Sequence, residues 1–167
     1  MICLKRRGGR SSKIGEYTVA SRIGSGRYGV CFLAHGPTGK TVVLKRFRPR
    51  MLRKNRQQNH YEAVILSGLS HPAVPELLGV INCRQGYYYV LEYKEGASLE
   101  EWLFKRRKVF SPEEIYRIGS QLFDILKYLH GRNVVHGDVS AANLLYDGEK
   151  LSLLDFGLAR YADGRNI

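Results

Sequence analysis

Apolar residues change their spacing several times along this chain, and each change predicts an element. Runs of strand character occur at Tyr17-Thr18-Val19-Ala20-Ser21-Arg22-Ile23, at Val30-Cys31-Phe32-Leu33-Ala34 and at Thr41-Val42-Val43-Leu44-Lys45-Arg46. Gly24-Ser25-Gly26-Arg27-Tyr28-Gly29 lies between the first two, and the turn Gly36-Pro37-Thr38-Gly39 precedes the third. Ala63, Ile65, Leu66 and Leu69 around Glu62 predict a helical segment. Leu77-Leu78-Gly79-Val80-Ile81 and Tyr87-Tyr88-Tyr89-Val90-Leu91 predict a further strand pair about the turn at 82–86. The first half therefore reads as about five strands and one helix.

After Glu92-Tyr93-Lys94-Glu95-Gly96-Ala97, a polar connector with a glycine, the period becomes helical. Ser98-Leu99-Glu100-Glu101 and Ser111-Pro112-Glu113-Glu114 both have the capping-box pattern, the second with proline at the first helical position. Ile115, Ile118, Leu122, Ile125, Leu126 and Leu129 keep helical spacing up to Gly131, which is expected to close the helix. Two short apolar runs follow, Leu144-Leu145-Tyr146 and Leu151-Ser152-Leu153-Leu154, as buried strands with polar ends.

Composition narrows the class. The 167 residues suffice for one substantial core or two small lobes sharing one, and 44% apolar with 25% charged residues is ordinary for a globular chain. The net charge of +12 is not ordinary. It comes mainly from clusters at 5–13, 45–56 and 105–108 and favours acidic partners: phosphate, nucleic acid, anionic lipid or an acidic protein. No run is long and apolar enough to span a membrane, and the start lacks the apolar core of a signal peptide. Cys3, Cys31 and Cys83 have neither metal-ligand nor disulfide spacing, so a reducing, cytoplasmic setting is expected.

The candidate chemistry lies between Val135 and Arg160. Asn143 follows Asp138 by five positions and Asp155 follows it by seventeen, each next to an apolar run. A carboxylate and an amide at the mouth of a fold suit Mg²⁺, a hard ion that takes much of its shell from substrate phosphate. The glycines of the hairpin at 24–29 let backbone N–H groups approach phosphate oxygens, and a strand on both sides disfavours a dinucleotide fingerprint. Lys45 ends an otherwise apolar strand, and Glu62 is the natural partner to hold it.

In this order, glycine-rich hairpin, strand lysine, helix glutamate, connector, long helix, His136-Gly137-Asp138 loop and Asp155-Phe156-Gly157, the elements resemble the eukaryotic-type protein kinases over about residues 17–160. The resemblance implies an α+β, two-lobed fold. A flexible basic arm at 1–15 would precede an antiparallel five-stranded N-lobe with one helix at 16–91. A hinge at 92–97 and a partial, mainly helical C-lobe at 98–167 would follow. It also implies ATP and Mg²⁺. Ile23, Gly24, Ser25, Gly26, Gly29 and Cys31 would cover the nucleotide, and Val43, Leu91 as gatekeeper, Glu92, Tyr93, Lys94 and Leu145 would surround adenine. Lys45, anchored by Glu62, would hold the α- and β-phosphates. Asp138 would accept the proton of the attacking hydroxyl, and Asn143 and Asp155 would bind Mg²⁺. Leu66, Leu77 or Leu78, His136 and Phe156 match the apolar side chains stacked between the lobes.

Five departures qualify the resemblance. Gly137 replaces the arginine that pairs with a phosphorylated activation loop, and Val139-Ser140-Ala141-Ala142 lacks the usual loop cation. Val43 stands in place of alanine, and Cys31 in place of valine. His-Gly-Asp is shared with small-molecule phosphotransferases, such as aminoglycoside and lipopolysaccharide kinases, and with small atypical kinases tied to tRNA modification. Only ten residues follow Gly157, which reads as a truncated or minimal kinase whose C-lobe is covered by self-association or a partner. The expected activity is transfer to a protein serine or threonine rather than tyrosine, on a protein substrate that the basic surface would favour as acidic. The alternatives are a small-molecule or tRNA-linked phosphotransferase, with nucleic acid as a partner, and a non-catalytic nucleotide-binding docking module.

Overall fold

The computed structural model describes residues 12–25, 29–47 and 56–164, without the side chains of 56–60. Gly26 and most of the basic clusters at 5–13 and 45–56 lie outside the described residues. Strands β1 (Lys13–Ile14), β2 (Tyr17–Ser25), β3 (Gly29–His35), β4 (Thr41–Phe47), β5 (Leu77–Cys83) and β6 (Gly86–Glu92) form one antiparallel sheet. Their order is β1-β2-β3-β4-β6-β5. The sheet thus has six strands rather than the five expected, the sixth coming from the segment read as a flexible arm. Ile14 explains the difference: it is buried among Ala34, Val42, Leu44, Tyr88 and Val90, and Gly15 turns the chain back with φ +58°.

Side chains alternate across the sheet. Val42 and Leu44 of β4 belong to this outer cluster, whereas Lys45 meets Glu62 of helix α1 (Arg56–Ser67) on the opposite side.

The second half carries β7 (Ala97–Ser98), α2 (Pro112–Gly131), β8 (Val134–Val135), β9 (Leu144–Tyr146), β10 (Leu151–Leu153) and β11 (Arg160–Tyr161). Strands β10-β9-β7 form a small antiparallel sheet, and β11 pairs with β8. A core of Ile65, Leu66 and Leu69 from α1, Ile125 and Leu129 from α2, and Leu144, Tyr146, Leu151, Leu153 and Phe156 joins the halves.

The capping signals are realised unequally. At the π-helical turn Glu101–Lys105, Ser98 Oγ accepts from Glu101 N at 3.1 Å, but the Glu101 carboxylate pairs with Arg106 at 2.7 Å instead of closing the box. At α2 both halves form: Glu114 N donates to Ser111 Oγ at 3.2 Å, and Ser111 N to Glu114 Oε2 at 2.8 Å. Gly131 is the last helical residue, not the left-handed cap; Asn133 takes that conformation at φ 61°. Ser111→Ala is expected to cost about 1 kcal/mol, read from the denaturant midpoint, because it leaves an amide at the helix start without its acceptor.

Candidate active site

Lys45 and Glu62 are buried and meet at 2.6 Å (Nζ–Oε1), across seventeen residues of chain. The strand alternation that puts Val42 and Leu44 in the outer cluster turns Lys45 inward, over the Phe47 ring at 5.7 Å. Phe47 is wedged edge-on against Tyr89 at 4.7 Å between centroids, which stiffens the floor beneath the ammonium. The same ammonium reaches Asp155 Oδ1 at 2.9 Å, from 110 residues away. Burial disfavours the Lys45 charge, but the Glu62 and Asp155 carboxylates outweigh it and hold the proton above the ordinary lysine range. Burial likewise raises the Asp155 carboxyl, yet Lys45 and the Gly157 amide bring it below its ordinary value.

Asp138 and Asn143 form the other half. Asn143 Nδ2 donates to Asp138 O at 2.9 Å and to Asp138 Oδ2 at 3.0 Å. These two acceptors engage the amide nitrogen, and no described hydrogen bond takes its Oδ1. The described contacts of Asp155 engage Oδ1, through Lys45 and Gly157 N, and none of them takes Oδ2. No group of three His, Cys, Asp or Glu side chains suited to a metal occurs among the described residues. One carboxylate oxygen and one amide oxygen near a buried lysine nevertheless fit Mg²⁺, which binds few protein ligands and completes its shell with water and phosphate.

His136 holds the loop. Its Nδ1 accepts from Asp138 N at 3.2 Å, its Nε2 bonds Leu154 O at 2.9 Å, and its ring meets Phe156 edge-on at 4.7 Å. Burial lowers its pKa, so the neutral ring accepts at Nδ1 and donates at Nε2. Leu66 and Phe156 lie in the joint core and Leu77 packs against it, whereas Leu78 packs against the outer cluster; the expected stack therefore runs through Leu77.

Around the cleft, Cys31 stands opposite Lys45 and Val43 opposite Leu91 in the strand registers. Leu145 is half-buried between buried Leu144 and Tyr146, so alternation turns it away from the joint core. Ile23 is 49% exposed. Gly24 and Ser25 end β2. Gly29 sits where a Cβ would fall 2.2 Å from Arg46 O, so only glycine allows this close pairing. Burial raises the Cys31 thiol, with Lys45 pulling it back. In the connector, Glu92 accepts from Glu76 N and Lys94 donates to Pro72 O, so both side chains tie it to 72–76; Tyr93 is exposed.

Two features escaped the sequence reading. One is the Lys45–Asp155 pair. The other is Gly137, read only as a lost arginine: its φ is +80°, and a Cβ would lie 2.7 Å from Leu158 O. The glycine itself was the available signal. Gly137→Ala is expected to lower stability by about 1–3 kcal/mol in a urea titration, since backbone, not a movable side chain, blocks the methyl.

A family model described as the protein kinase domain matches residues 17–166. This chain belongs to the protein kinase family. Its relatives include the probable serine/threonine-protein kinase YbdM of Bacillus subtilis, 32% identical over 148 residues, which are 87% of this chain and 58% of that protein. The CBL-interacting protein kinase 11 of rice is 32% identical over 161 residues, 94% of this chain and 32% of that protein. The carbon catabolite-derepressing protein kinase of Saccharomyces cerevisiae is 33% identical over 158 residues, 92% of this chain and 25% of that protein. The chain thus spans less than two thirds of the length of these curated relatives, from 58% down to 25%. The kinase fold accounts for the order of its elements: a curled antiparallel sheet with one helix, followed by a partial helical lobe. No helix among the described residues of this kinase is long and apolar enough to cross a membrane.

Proposed function

We propose that this kinase transfers the γ-phosphoryl group of ATP, with Mg²⁺, to a serine or threonine hydroxyl of a protein substrate, in the cytoplasm. The observation that carries the reading is Lys45 held at once by Glu62 and Asp155, at 2.6 and 2.9 Å. A lysine fixed in this way presents its charge at one point, next to the carboxylate best placed to share a phosphate-bound cation. Relatives named as serine/threonine kinases support the choice of acceptor.

The residues then divide the work. Ile23, Val43, Leu91 and Leu145 enclose the base, with the connector 92–94 at its edge, while Gly24, Ser25 and Gly29 leave room for the phosphates. Lys45 holds the α- and β-phosphates. Asn143 Oδ1 and Asp155 Oδ2 are the oxygens for Mg²⁺, which when bound neutralises charge on the phosphates. Asp138 orients the substrate hydroxyl. As that oxygen bonds to the γ-phosphorus, the bond to the β–γ bridging oxygen breaks, ADP leaves, and the proton passes to Asp138. Little covalent chemistry is asked of the protein, so alignment and charge supply the rate.

A second reading, a nucleotide-binding module without turnover, is favoured by one feature: 139–142 has no cation for the transferring phosphate. Incubating labelled ATP with wild type, Lys45→Ala and Asp155→Ala, then identifying the labelled acceptor, tests both. Label on protein in the wild type alone supports transfer. Label on a metabolite or an RNA would replace the protein acceptor, and Mg²⁺-dependent nucleotide binding without label would establish the docking module.

A further inference from the structure

Among the described residues, the segment 103–109 makes no contact with Lys45, Asp138 or Asp155, and it sets exposed apolar side chains among a run of cations. Trp102 and Phe110 lie 6.4 Å apart between ring centroids, and both meet Tyr146, at 6.4 and 6.2 Å. Trp102 Nε1 also donates to Tyr146 O at 2.9 Å. Both ends of the segment 103–109 are thereby pinned to one tyrosine of the joint core. Between them the chain is tied internally, Arg106 N to Glu101 O and Lys108 N to Trp102 O, each at 2.9 Å, and Arg107 takes a left-handed φ of 51°. A non-glycine residue in that region marks a turn imposed by its surroundings rather than a slack loop.

Helix α2 also exposes Ile115, Tyr116 and Phe123, but the turn sets its apolar side chains on both sides of a run of cations. Leu103, Phe104 and Val109 point outward, 42%, 74% and 87% exposed, while the aromatic residues beside them are used as anchors. Four consecutive cations, Lys105, Arg106, Arg107 and Lys108, lie between Phe104 and Val109. Arg106 pairs with Glu101 and lies over Trp102, and Lys108 pairs with Glu114. Lys105 and Arg107 have no carboxylate partner among the described residues.

We infer that the turn at 103–109 docks this protein on an anionic membrane surface, its aliphatic and phenyl side chains entering the headgroup–acyl boundary and its cations meeting lipid phosphates. Apolar tips among cations are the surface chemistry of interfacial binding, and anionic leaflets attract such clusters. Stacking on nucleic acid bases would use Phe104 but gives no role to Leu103 and Val109, which offer aliphatic area and no hydrogen bond. The net charge of +12 adds longer-range attraction to the same surface. The inference does not depend on phosphoryl transfer.

Vesicle co-sedimentation tests it, comparing phosphatidylcholine alone with a phosphatidylserine mixture. Wild type is expected to bind the mixture, to release as salt is raised, and to ignore neutral vesicles. Phe104→Ser/Val109→Ser and Lys105→Gln/Arg107→Gln should each weaken binding about tenfold or more, through lost apolar burial and lost charge respectively. Thermal midpoints report whether each variant is folded; the charge pair is fully on the surface and keeps the test decisive if the apolar pair melts early. Trp102, the single tryptophan, stands at the base of the turn, so its emission should change on anionic vesicles only. No binding, equal binding to neutral vesicles, or unchanged binding by the charge variant would overturn the inference. So would binding of an RNA oligonucleotide or an acidic peptide through these residues while vesicles are ignored.

Discussion

Lys45→Met is expected to abolish phosphoryl transfer and also to lower folding stability by about 3–5 kcal/mol, the scale for removing one partner of a buried ion pair. The second effect follows from burial. Glu62 is 3% exposed and loses the one cation that pairs with it among the described residues, at 2.6 Å, so its charge is left in the core without that partner. Asp155, with a side chain 40% exposed, is screened by water and contributes less. The double variant Lys45→Met/Glu62→Met removes both buried charges at similar volume and should recover much of the stability while remaining inactive. Urea titration of the three proteins, alongside label transfer from ATP, separates the two roles. Full stability in the single variant would show that the pair is not buried as described, and retained transfer would remove Lys45 from the mechanism.

Asp138→Asn should behave in the opposite way. Asp138 is exposed, and its side chain meets the protein through the Asn143 amide, so the folding midpoint should stay within about 0.5 kcal/mol of wild type. Transfer should fall by about 10²–10⁴-fold, the usual contribution of a positioned acid or base, with ATP affinity unchanged. Equal transfer by wild type and Asp138→Asn would remove Asp138 from the reaction and leave nucleotide binding as the function of the cleft. The outcome also bears on 139–142: without a loop cation, the wild-type rate itself is expected to be low for a kinase.

Much of this was legible in the residues. Strand periodicity placed Lys45 and Tyr89 within strands, and the capping box at Ser111 placed the start of α2, because those signals are local and depend on bonds made within a few residues. Local signals fail where a neighbour decides. Ile14 looked like part of a polar arm until the outer cluster around Val42 and Leu44 gave it a place to be buried. Glu101 was expected to close a capping box, but Arg106 competed for its carboxylate. Leu77 and Leu78 were equivalent in the sequence; an irregular register between Leu77 and Gly79 set which one faces the joint core.

The chain by itself determined the family and the order of its elements, and it supplied the candidate residues for phosphate and Mg²⁺. It did so because each motif is a short stretch whose chemistry is written in its side chains. The tertiary structure alone decided that Lys45 serves two carboxylates 17 and 110 residues away, that Asn143 turns its oxygen from Asp138, and that 103–109 projects from an aromatic clamp. Those are distances between segments far apart in sequence. They are set by how the two halves bury one core, and no local pattern contains them.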